Sequence, residues 1–240
     1  MSRLCIIPAR GGSKRIARKN VRAFAGRPML THALTAAQES GVFDHVHVST
    51  DDYEIAEAAA AAGAPPVFMR DSALADDHTP VRDVVTSDLA RFKSGEGGVI
   101  SRTGPFTAIA LVYATAVLIE AEDLVRATKA FEDQPAKPLL SVVDTGAPLE
   151  RLMVDDAGML RPALPESFAN RTQDLTPAYR DAGAFAIFSA ATLQADADGA
   201  QALDFRPYLL PRWKGVDIDT EDDWRFAELI KAGLTALEGS

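Results

Sequence analysis

Short apolar runs alternate with longer amphipathic segments through the first 143 residues of the chain. The apolar runs have the length and content of buried strands, and the predicted strands are 4–8, 45–50, 66–70, 108–113 and 139–143. Apolar residues recur at helical spacing between them, and the predicted helices are 29–37, 52–62, 81–92 and 121–131. This alternation predicts βαβ units, so we expect an α/β fold around a mostly parallel sheet.

The pattern changes after residue 143. Apolar runs at 152–154 and 159–161, separated by a turn that contains Gly158, predict a hairpin, and three prolines follow it. The pattern then predicts a strand at 184–188, a short helix at 190–195, a strand end at 216–219 and a last helix that begins at Thr220 with a capping box. We therefore expect a Rossmann-like three-layer α/β/α catalytic domain that binds a nucleotide, formed by 1–143 and 184–240. Residues 144–183 are a small insertion, and the glycine-rich stretch 94–105 is an exposed loop or a mobile lid.

Composition limits the partners. Lys and Arg number 25 against 34 Asp and Glu, a net charge of −9, which disfavours nucleic acid or an anionic membrane as the main partner. The single Cys5 lies in the first apolar run, where a reduced buried thiol is expected, so a cytoplasmic location is predicted. No apolar stretch approaches the roughly 20 residues that span a bilayer, and no secretory signal is recognised at the start.

A basic, glycine-containing loop follows the first predicted strand. Residues 8–20 hold five cations, Arg10, Lys14, Arg15, Arg18 and Lys19. Gly11 and Gly12 allow a ligand to approach the backbone, whose N–H groups bind phosphate oxygens together with nearby cations. The spacing is neither a Walker A loop nor Gly-x-Gly-x-x-Gly. We expect a nucleoside triphosphate here, although for Arg15 or Arg18 taken alone a solvated basic turn is the favoured interpretation.

Two aspartates near the last helix are the acidic counterpart of this loop. Asp217 and Asp219 flank Ile218, so on an extended strand both carboxylates point to one side. Paired carboxylates beside bound phosphates suit Mg²⁺, which prefers oxygen ligands. Helix capping explains acids at 221–223 but not Asp217, so we predict that Asp217 and Asp219 bind the metal.

The loop motif resembles a known family. Ile-Pro-Ala-Arg-Gly-Gly-Ser-Lys at 7–14, followed by Lys19-Asn20, is similar to the signature of the CMP-sialic acid synthetases, the acylneuraminate cytidylyltransferases. Similar motifs continue along nearly the whole chain at 26–29, 48–52, 70–79, 113–116 and 217–224. Asp-Asp-His-Thr at 76–79, Tyr-Ala-Thr-Ala at 113–116 and the stretches 171–175 and 181–183 most resemble the pseudaminic acid branch of that family.

The resemblance implies an enzyme that transfers CMP from CTP to the anomeric hydroxyl of a nonulosonic sugar acid, with Mg²⁺ as cofactor. By the family pattern, the catalytic residues are Arg10, Lys19, Asp217 and Asp219. The nucleotide-binding residues are Ala9, Arg10, Gly11, Gly12, Ser13, Lys19, Asn20, Arg70 and Thr79. Arg70 is expected at the cytosine end, although a salt bridge to Asp71 or Asp76 competes with that role. His78 receives only a minor role, because a lone loop histidine is more often merely solvated.

The same resemblance places the sugar on Tyr113, Thr115, Arg171, Gln173, Arg180 and Asp181. The chain departs from the pattern at Val117, Ile119, Arg180, Ala184 and Ala186, which indicates a reshaped sugar pocket. In the family the insertion reaches a partner subunit, so 144–183 is expected to form a symmetric homodimer and to contribute to the sugar site. An autonomous flap over the chain's own site is the alternative.

Three functions remain open at this point. The first is a Mg²⁺-dependent cytidylyltransferase with pseudaminic acid as acceptor. The second keeps the chemistry but uses legionaminic acid, N-acetylneuraminic acid or Kdo, as the departures at 117, 119, 184 and 186 allow. The third is a catalytically silent nucleotide-binding homologue, which the presence of Arg10, Lys19, Asp217 and Asp219 disfavours.

Overall fold

A computed structural model of the chain describes residues 2–98, 105–197 and 204–238. Its strands are β1 (Ser2–Pro8), β2 (Ala23–Phe24), β3 (Arg27–Pro28), β4 (His45–Ser49), β5 (Phe106–Val112), β6 (Leu139–Asp144), β7 (Met153–Asp156), β8 (Met159–Pro162), β9 (Tyr179–Phe188) and β10 (Arg206–Leu209). Its α-helices are α1 (Leu30–Glu39), α2 (Tyr53–Ala61), α3 (Val81–Lys93), α4 (Ala121–Glu132), α5 (Ala190–Ala197) and α6 (Glu221–Glu238). The predicted alternation of strands and helices is confirmed.

The main sheet has six strands in the order β10-β6-β9-β5-β1-β4. Neighbouring strands run parallel except at β9, which is antiparallel to both β5 and β6. The chain runs from β1 outward to β4 and then returns to the other side of β1 to form β5. The strand order therefore reverses between β1 and β5, the point where open α/β sheets bind ligands at the carboxyl ends of their strands.

Helices cover both faces of this sheet. One core cluster packs α1, α2 and α4 against the β1 side chains Cys5 and Ile7, and a second packs α3 and α5 against Leu4 and Ile6. Successive β1 residues point to opposite faces, so a strand buried on both sides is apolar throughout. The predicted three-layer architecture and the buried Cys5 are confirmed, and burial raises the pKa of the Cys5 thiol.

The predicted strand at 66–70 is wrong, because this segment is irregular. Pro65 and Pro66 lack the N–H groups that a ladder needs. The Val67 N–H donates to His47 Nδ1 at 3.3 Å, and the Arg70 N–H donates to the Thr50 carbonyl oxygen at 2.7 Å. Phe68 and Arg70 are buried beside β4, while the rest of the segment is half-buried, and it does not extend the sheet.

The predicted strand end at 216–219 is also wrong. The Ile218 carbonyl oxygen bonds to a side chain rather than to a strand, since Lys19 Nζ donates to it at 2.7 Å. The Gly215 oxygen, just before the segment, likewise accepts from Arg180 Nη2 at 2.6 Å. The inward position of Ile218 is confirmed, because its side chain is fully buried beside Trp224. The last helix begins as predicted, with Thr220 and Asp223 exchanging the hydrogen bonds of a capping box.

Two further strands differ from the expectation. The sequence pattern did not predict β10, a short edge strand with alternating burial that contains Pro207. β9 begins at Tyr179, five residues before the predicted strand, and so crosses the predicted boundary of the insertion at residue 183. The division into a catalytic domain and an insertion stays a prediction.

The predicted hairpin is confirmed as β7 and β8, which pair with each other as a separate two-stranded sheet. Ala157 and Gly158 occupy its turn with positive φ angles of 53° and 85°. Of the predicted loop or lid at 94–105, residues 99–104 lie outside the described part of the chain. Among the described residues, no helix is long and apolar enough to cross a membrane.

Candidate active site

The loop that follows β1 is fixed against the start of α2. The Ala9 N–H donates to the Ser49 carbonyl oxygen at 2.9 Å, and the Gly11 N–H donates to Asp51 Oδ1 at 3.1 Å. A Cβ atom on Gly11 would lie 2.6 Å from Asp52 Oδ2, so this position has no room for a side chain. Apart from its two chain neighbours, no atom of the described residues would lie within 4 Å of a Cβ atom on Gly12. The first glycine therefore permits close packing, and the second leaves the backbone open.

The side chains of Asn20 and Lys19, further along the loop, hold it in place by hydrogen bonds. Asn20 is buried, and its Nδ2 donates to the Arg10 carbonyl oxygen at 2.9 Å, which fixes the turn. Lys19 Nζ lies 2.7 Å from the Ile218 oxygen and 3.3 Å from Asp219 Oδ1. Lys19 thus joins the basic loop to the acidic pair.

The five cations of the loop form ion pairs with different acidic residues. Arg10 Nη1 lies 2.7 Å from Asp77 Oδ1 and donates to the Asp76 carbonyl oxygen at 2.6 Å, and Lys14 pairs with the same Asp77 carboxylate. Arg15 pairs with Asp219 at 2.8 Å.

Arg18 faces away from that group. It pairs with Asp52 and Glu54, residues at the start of α2, and its φ angle is positive, at 53°. The guanidinium lowers the pKa of Asp52. Arg18 therefore stabilises the loop by pairing with Asp52, and Asp51 stabilises it by accepting the Gly11 N–H.

A cleft of about 330 Å³ opens between the carboxyl ends of β1 and β5, where the strand order reverses. A second hollow of about 330 Å³ continues from it around the basic loop. The two share Arg10, Lys19, Asn20 and Asp77. The first cleft is lined by Pro8, Arg10, Lys19, Asn20, Arg70, Leu74, Asp76, Asp77, Thr79, Val81, Val84, Tyr113, Ala114, Thr115, Asp217 and Asp219. The structure thus brings Arg10, Lys19 and Asn20 of the predicted phosphate loop together with the predicted metal ligands Asp217 and Asp219, and Ser13 lines the second hollow, whereas Ala9, Gly11 and Gly12 line neither.

Arg70 and Thr79 line the cleft as the nucleotide assignment requires. Arg70 is buried and its guanidinium bonds to Ser49, so the alternative of a salt bridge to Asp71 or Asp76 is not observed. The Thr79 hydroxyl donates to Asp76 Oδ1 at 2.8 Å, and this hydrogen bond lowers the pKa of Asp76.

Asp217 and Asp219 both line the cleft, although neither lies on a strand. Burial raises the pKa of Asp217, and the neighbouring carboxylates of Asp219 and Asp181 raise it further, while Lys19 opposes them. In the described part of the chain no cation lies within ion-pair distance of Asp217, and no group of three or more His, Cys, Asp or Glu side chains is arranged to hold a metal ion. Asp217 is therefore a carboxylate held among like charges.

Tyr113 and Thr115, two of the residues predicted to bind the sugar, line the cleft. Tyr113 and Asp181 also line an adjoining hollow of about 390 Å³, which includes Ala186. Burial raises the pKa of Tyr113 to about 12, with Asp181 and Asp217 adding to the effect. Ala184 is buried in the core on the opposite face of the sheet, so of the two small residues noted in the sequence only Ala186 opens toward this hollow.

Three predicted sugar residues do not line these hollows. Arg180 bonds to the Gly215 oxygen and so supports the segment that carries Asp217. Arg171 and Gln173 are exposed on the insertion, outside the lining of the cleft and of the adjoining hollows. Their assignment to the sugar stays a prediction.

Sequence reasoning missed two features of the site. Asp77 pairs with Arg10 and Lys14, although the Asp76-Asp77 motif was visible. Lys214 is buried between Glu120 and Asp123 at 2.6 Å from each, which anchors the chain just before Asp217 to the start of α4. No local pattern indicates a pair separated by more than 90 residues, as this one is.

Comparison with solved structures defines the class of fold. The structure of CMP:2-keto-3-deoxy-manno-octonic acid synthetase complexed with CTP superposes with a TM-score of 0.70, covering 97% of this chain and 99% of that one. At 16% sequence identity the likeness concerns the fold alone. The chain therefore has the α/β fold found in that synthetase.

Sequence comparison gives the family. Residues 4–216 match the profile of the family described as Cytidylyltransferase. The chain is 36% identical over 236 residues to the pseudaminic acid cytidylyltransferase of Campylobacter jejuni, with 96% of each chain covered. It is 40% identical over 90 residues to the CMP-N,N'-diacetyllegionaminic acid synthase of Legionella pneumophila, covering 38% of this chain and 39% of that one. The chain belongs to the cytidylyltransferase family of enzymes, as the resemblance predicts.

The packing of Gly11 gives a test of the loop geometry. Gly11→Ala should lower the free energy of unfolding by about 1–3 kcal/mol, because the added methyl group meets the Asp52 side chain that Arg18 and the Ile55 N–H hold in place. Gly12→Ala is the matched control and should leave stability within about 0.5 kcal/mol of the parent. Urea unfolding without nucleotide measures both, and equal destabilisation of the two variants would contradict the described packing.

Proposed function

We propose that the protein transfers CMP from CTP to the anomeric hydroxyl of a nonulosonic acid, with pseudaminic acid as the first candidate. The observation that carries this proposal is the cleft at the β1/β5 reversal point, where the Lys19 ammonium lies between the phosphate loop and the Asp217/Asp219 pair. The 36% identity to the Campylobacter jejuni enzyme over 96% of both chains supports the choice of acceptor.

The residues of the cleft suit this reaction. The anomeric oxygen attacks the α-phosphorus of CTP, the bond to the β-phosphate oxygen breaks, pyrophosphate leaves and the hydroxyl proton is released. Negative charge grows on the phosphate oxygens as this occurs, and fixed cations stabilise it. Arg10 and Lys19 border both hollows and so stand where the triphosphate would lie. Open backbone at Gly12 and Ser13 completes the phosphate side.

Asp217 and Asp219 fit a magnesium ion. Asp217 has a raised pKa and like-charged neighbours, an arrangement that a divalent cation relieves. Two carboxylates are few for a protein-only site, but Mg²⁺ in phosphate-transfer enzymes usually retains waters and binds substrate phosphates as well. When bound, the ion would neutralise charge on the phosphate oxygens.

The acceptor itself is tested by a pyrophosphate-release assay. CTP is combined in turn with pseudaminic, legionaminic and N-acetylneuraminic acids and Kdo in the presence of Mg²⁺. We expect pseudaminic acid to give the highest kcat/KM. Preference for legionaminic acid would favour the second candidate, which the Legionella pneumophila relative supports over 38% of the chain. Release with none of these acids would contradict the proposed function.

The metal assignment is tested by Asp219→Asn. The variant should raise the Mg²⁺ concentration for half-maximal pyrophosphate release by at least about tenfold, since it removes one ligand charge. Asp222→Asn carries the same change on an exposed side chain of the first turn of α6 and should match the parent. An unchanged Mg²⁺ requirement in Asp219→Asn would remove this residue from the metal site.

We further propose that the β7/β8 hairpin forms a homodimer contact. Its apolar side chains are unusually exposed, with Met159 at 67% and Leu160 at 68%. Exposed apolar patches of this kind mark interaction surfaces, and a symmetric dimer would cover them in pairs. A partner reached in this way could also bring Arg171 and Gln173 to the other subunit's sugar site.

Light scattering tests the dimer. The parent should show twice the 25.7 kDa chain mass at micromolar concentration, and Leu160→Asp should give a monomer because it places a charge in the apolar contact. Leu237→Asp, at a leucine 75% exposed on α6, is the control and should remain dimeric. A monomeric parent would contradict the proposal.

A further inference from the structure

The inner strand β9 carries a bulge beside the segment that holds Asp217. Between the residue pairs Leu140–Ala186 and Val142–Asp181, β6 has one residue, whereas β9 has four, 182–185. We call these four residues the β9 bulge. A bulge bends its strand and changes the direction of the local backbone, and bulges are frequent beside active sites, where they redirect side chains.

Side-chain hydrogen bonds hold the β9 bulge in its shape. The Gly183 N–H donates to Asp181 Oδ1 at 2.8 Å. The Phe185 N–H donates to the hydroxyl oxygen of Ser141, a buried residue of β6, at 2.9 Å. Both N–H groups have partners although the regular pairing with β6 is interrupted there, so the shape of the bulge is fixed by these side chains.

Gly183 is the residue of the β9 bulge that faces Asp217. Its φ angle is 62°, in the left-handed region that favours glycine. A Cβ atom on Gly183 would lie 3.2 Å from Asp217 Cβ, 3.3 Å from Asp217 Cγ and 3.5 Å from Asp217 Oδ1. The first two distances are shorter than an ordinary van der Waals contact between carbon atoms. A methyl group at position 183 would therefore displace the Asp217 side chain.

The backbone on both sides of Asp217 is held in place. A Cβ atom on Gly215 would lie 2.6 Å from a side-chain carbon of β6, so the chain packs closely against that strand. Arg180 Nη2 on β9 donates to the Gly215 carbonyl oxygen at 2.6 Å. After Asp217, the Ile218 carbonyl oxygen accepts from Lys19 and the Ile218 side chain is buried. Pressure on Asp217 from position 183 would therefore move its carboxylate rather than the whole segment.

We propose that Gly183 is a positioning residue for metal binding: the β9 bulge brings its backbone against Asp217, and because it has no side chain the Asp217 carboxylate can lie in the cleft with Asp219. Gly183 does not itself line the cleft, so its effect on a bound ion is exerted through Asp217. The proposal rests on the proposed function, which assigns a divalent cation to Asp217 and Asp219.

The test measures the binding of Mn²⁺, which suits the same oxygen ligands as Mg²⁺, to the complex of the protein with CTP. Protein is kept in excess so that all the CTP is bound, and free Mn²⁺ is measured by electron paramagnetic resonance. Gly183→Ala should raise the Kd for Mn²⁺ about tenfold, a typical effect of removing the support of a metal ligand. The Kd for CTP in EDTA, measured by titration calorimetry, should stay that of the parent.

Gly41→Ala is the matched control. Gly41 has nearly the same φ angle, 63°, and apart from its chain neighbours no atom of the described residues would lie within 4 Å of a Cβ atom there. Both variants should lower the thermal midpoint, because alanine is disfavoured at positive φ. Only Gly183→Ala should weaken Mn²⁺ binding. An equal rise of the Mn²⁺ Kd in both variants would mean that lost stability, and not the contact with Asp217, weakens the site, and would overturn the inference.

Two further variants complete the test. In the Asp217→Asn background, Gly183→Ala should add little to the Kd for Mn²⁺, since both changes act on one side chain. Should Gly183→Ala fail to fold, Ser141→Ala replaces it, because it removes the acceptor that holds the β9 bulge at Phe185 and should raise the same Kd. The parent's Kd for Mn²⁺ in the folded variant, a rise that persists in full in Asp217→Asn, or a matching rise in the Kd for CTP in EDTA overturns the inference. A parent that binds CTP but no Mn²⁺ defeats the metal assignment of the proposed function instead, and the inference falls with it.

Discussion

The contact between the Lys19 ammonium and the Ile218 carbonyl oxygen joins the two ends of the fold. Lys19 follows the first strand and Ile218 precedes the last helix, so nearly every other element lies between them in the sequence. The Ile218 side chain is buried beside Trp224, which fixes the direction of its carbonyl group. The cleft exists because this contact holds the cationic loop and the acidic segment face to face, and both must fold before either is useful.

The local hydrophobic pattern of the sequence was sufficient to predict the strands that are buried on both faces. β1 and β5 are continuous apolar runs, and their length and composition decide their structure. The apolar run at 66–70 and the alternating Val-Asp-Ile-Asp at 216–219 also have strand-like patterns, yet the Val67 N–H bonds to His47 and the Ile218 carbonyl oxygen bonds to Lys19, both distant side chains. Strand formation depends on partners that periodicity does not reveal. The edge strand β10, with Pro207, carried too weak a pattern to be found.

In the candidate site, too, the residues of a contiguous motif could be predicted from the sequence, whereas contacts between distant residues could not. The phosphate loop is a contiguous motif, and its glycines, Arg10, Lys19 and Asn20 were predicted together. The pairing of its cations was not, because Arg18 with Asp52 and Arg10 with Asp77 are contacts across more than 30 residues.

The Asp77 carboxylate occupies the Arg10 and Lys14 side chains in the free protein. A phosphate group that binds these cations competes with that carboxylate for them, so the basic loop is already partly neutralised before a ligand binds. A ligand with a single negative charge gains little by the exchange, since it replaces one carboxylate by an equivalent charge. A triphosphate brings several charges to the same two cations and to Lys19. The loop thus selects for charge density, and solutes such as acetate are poor competitors for it.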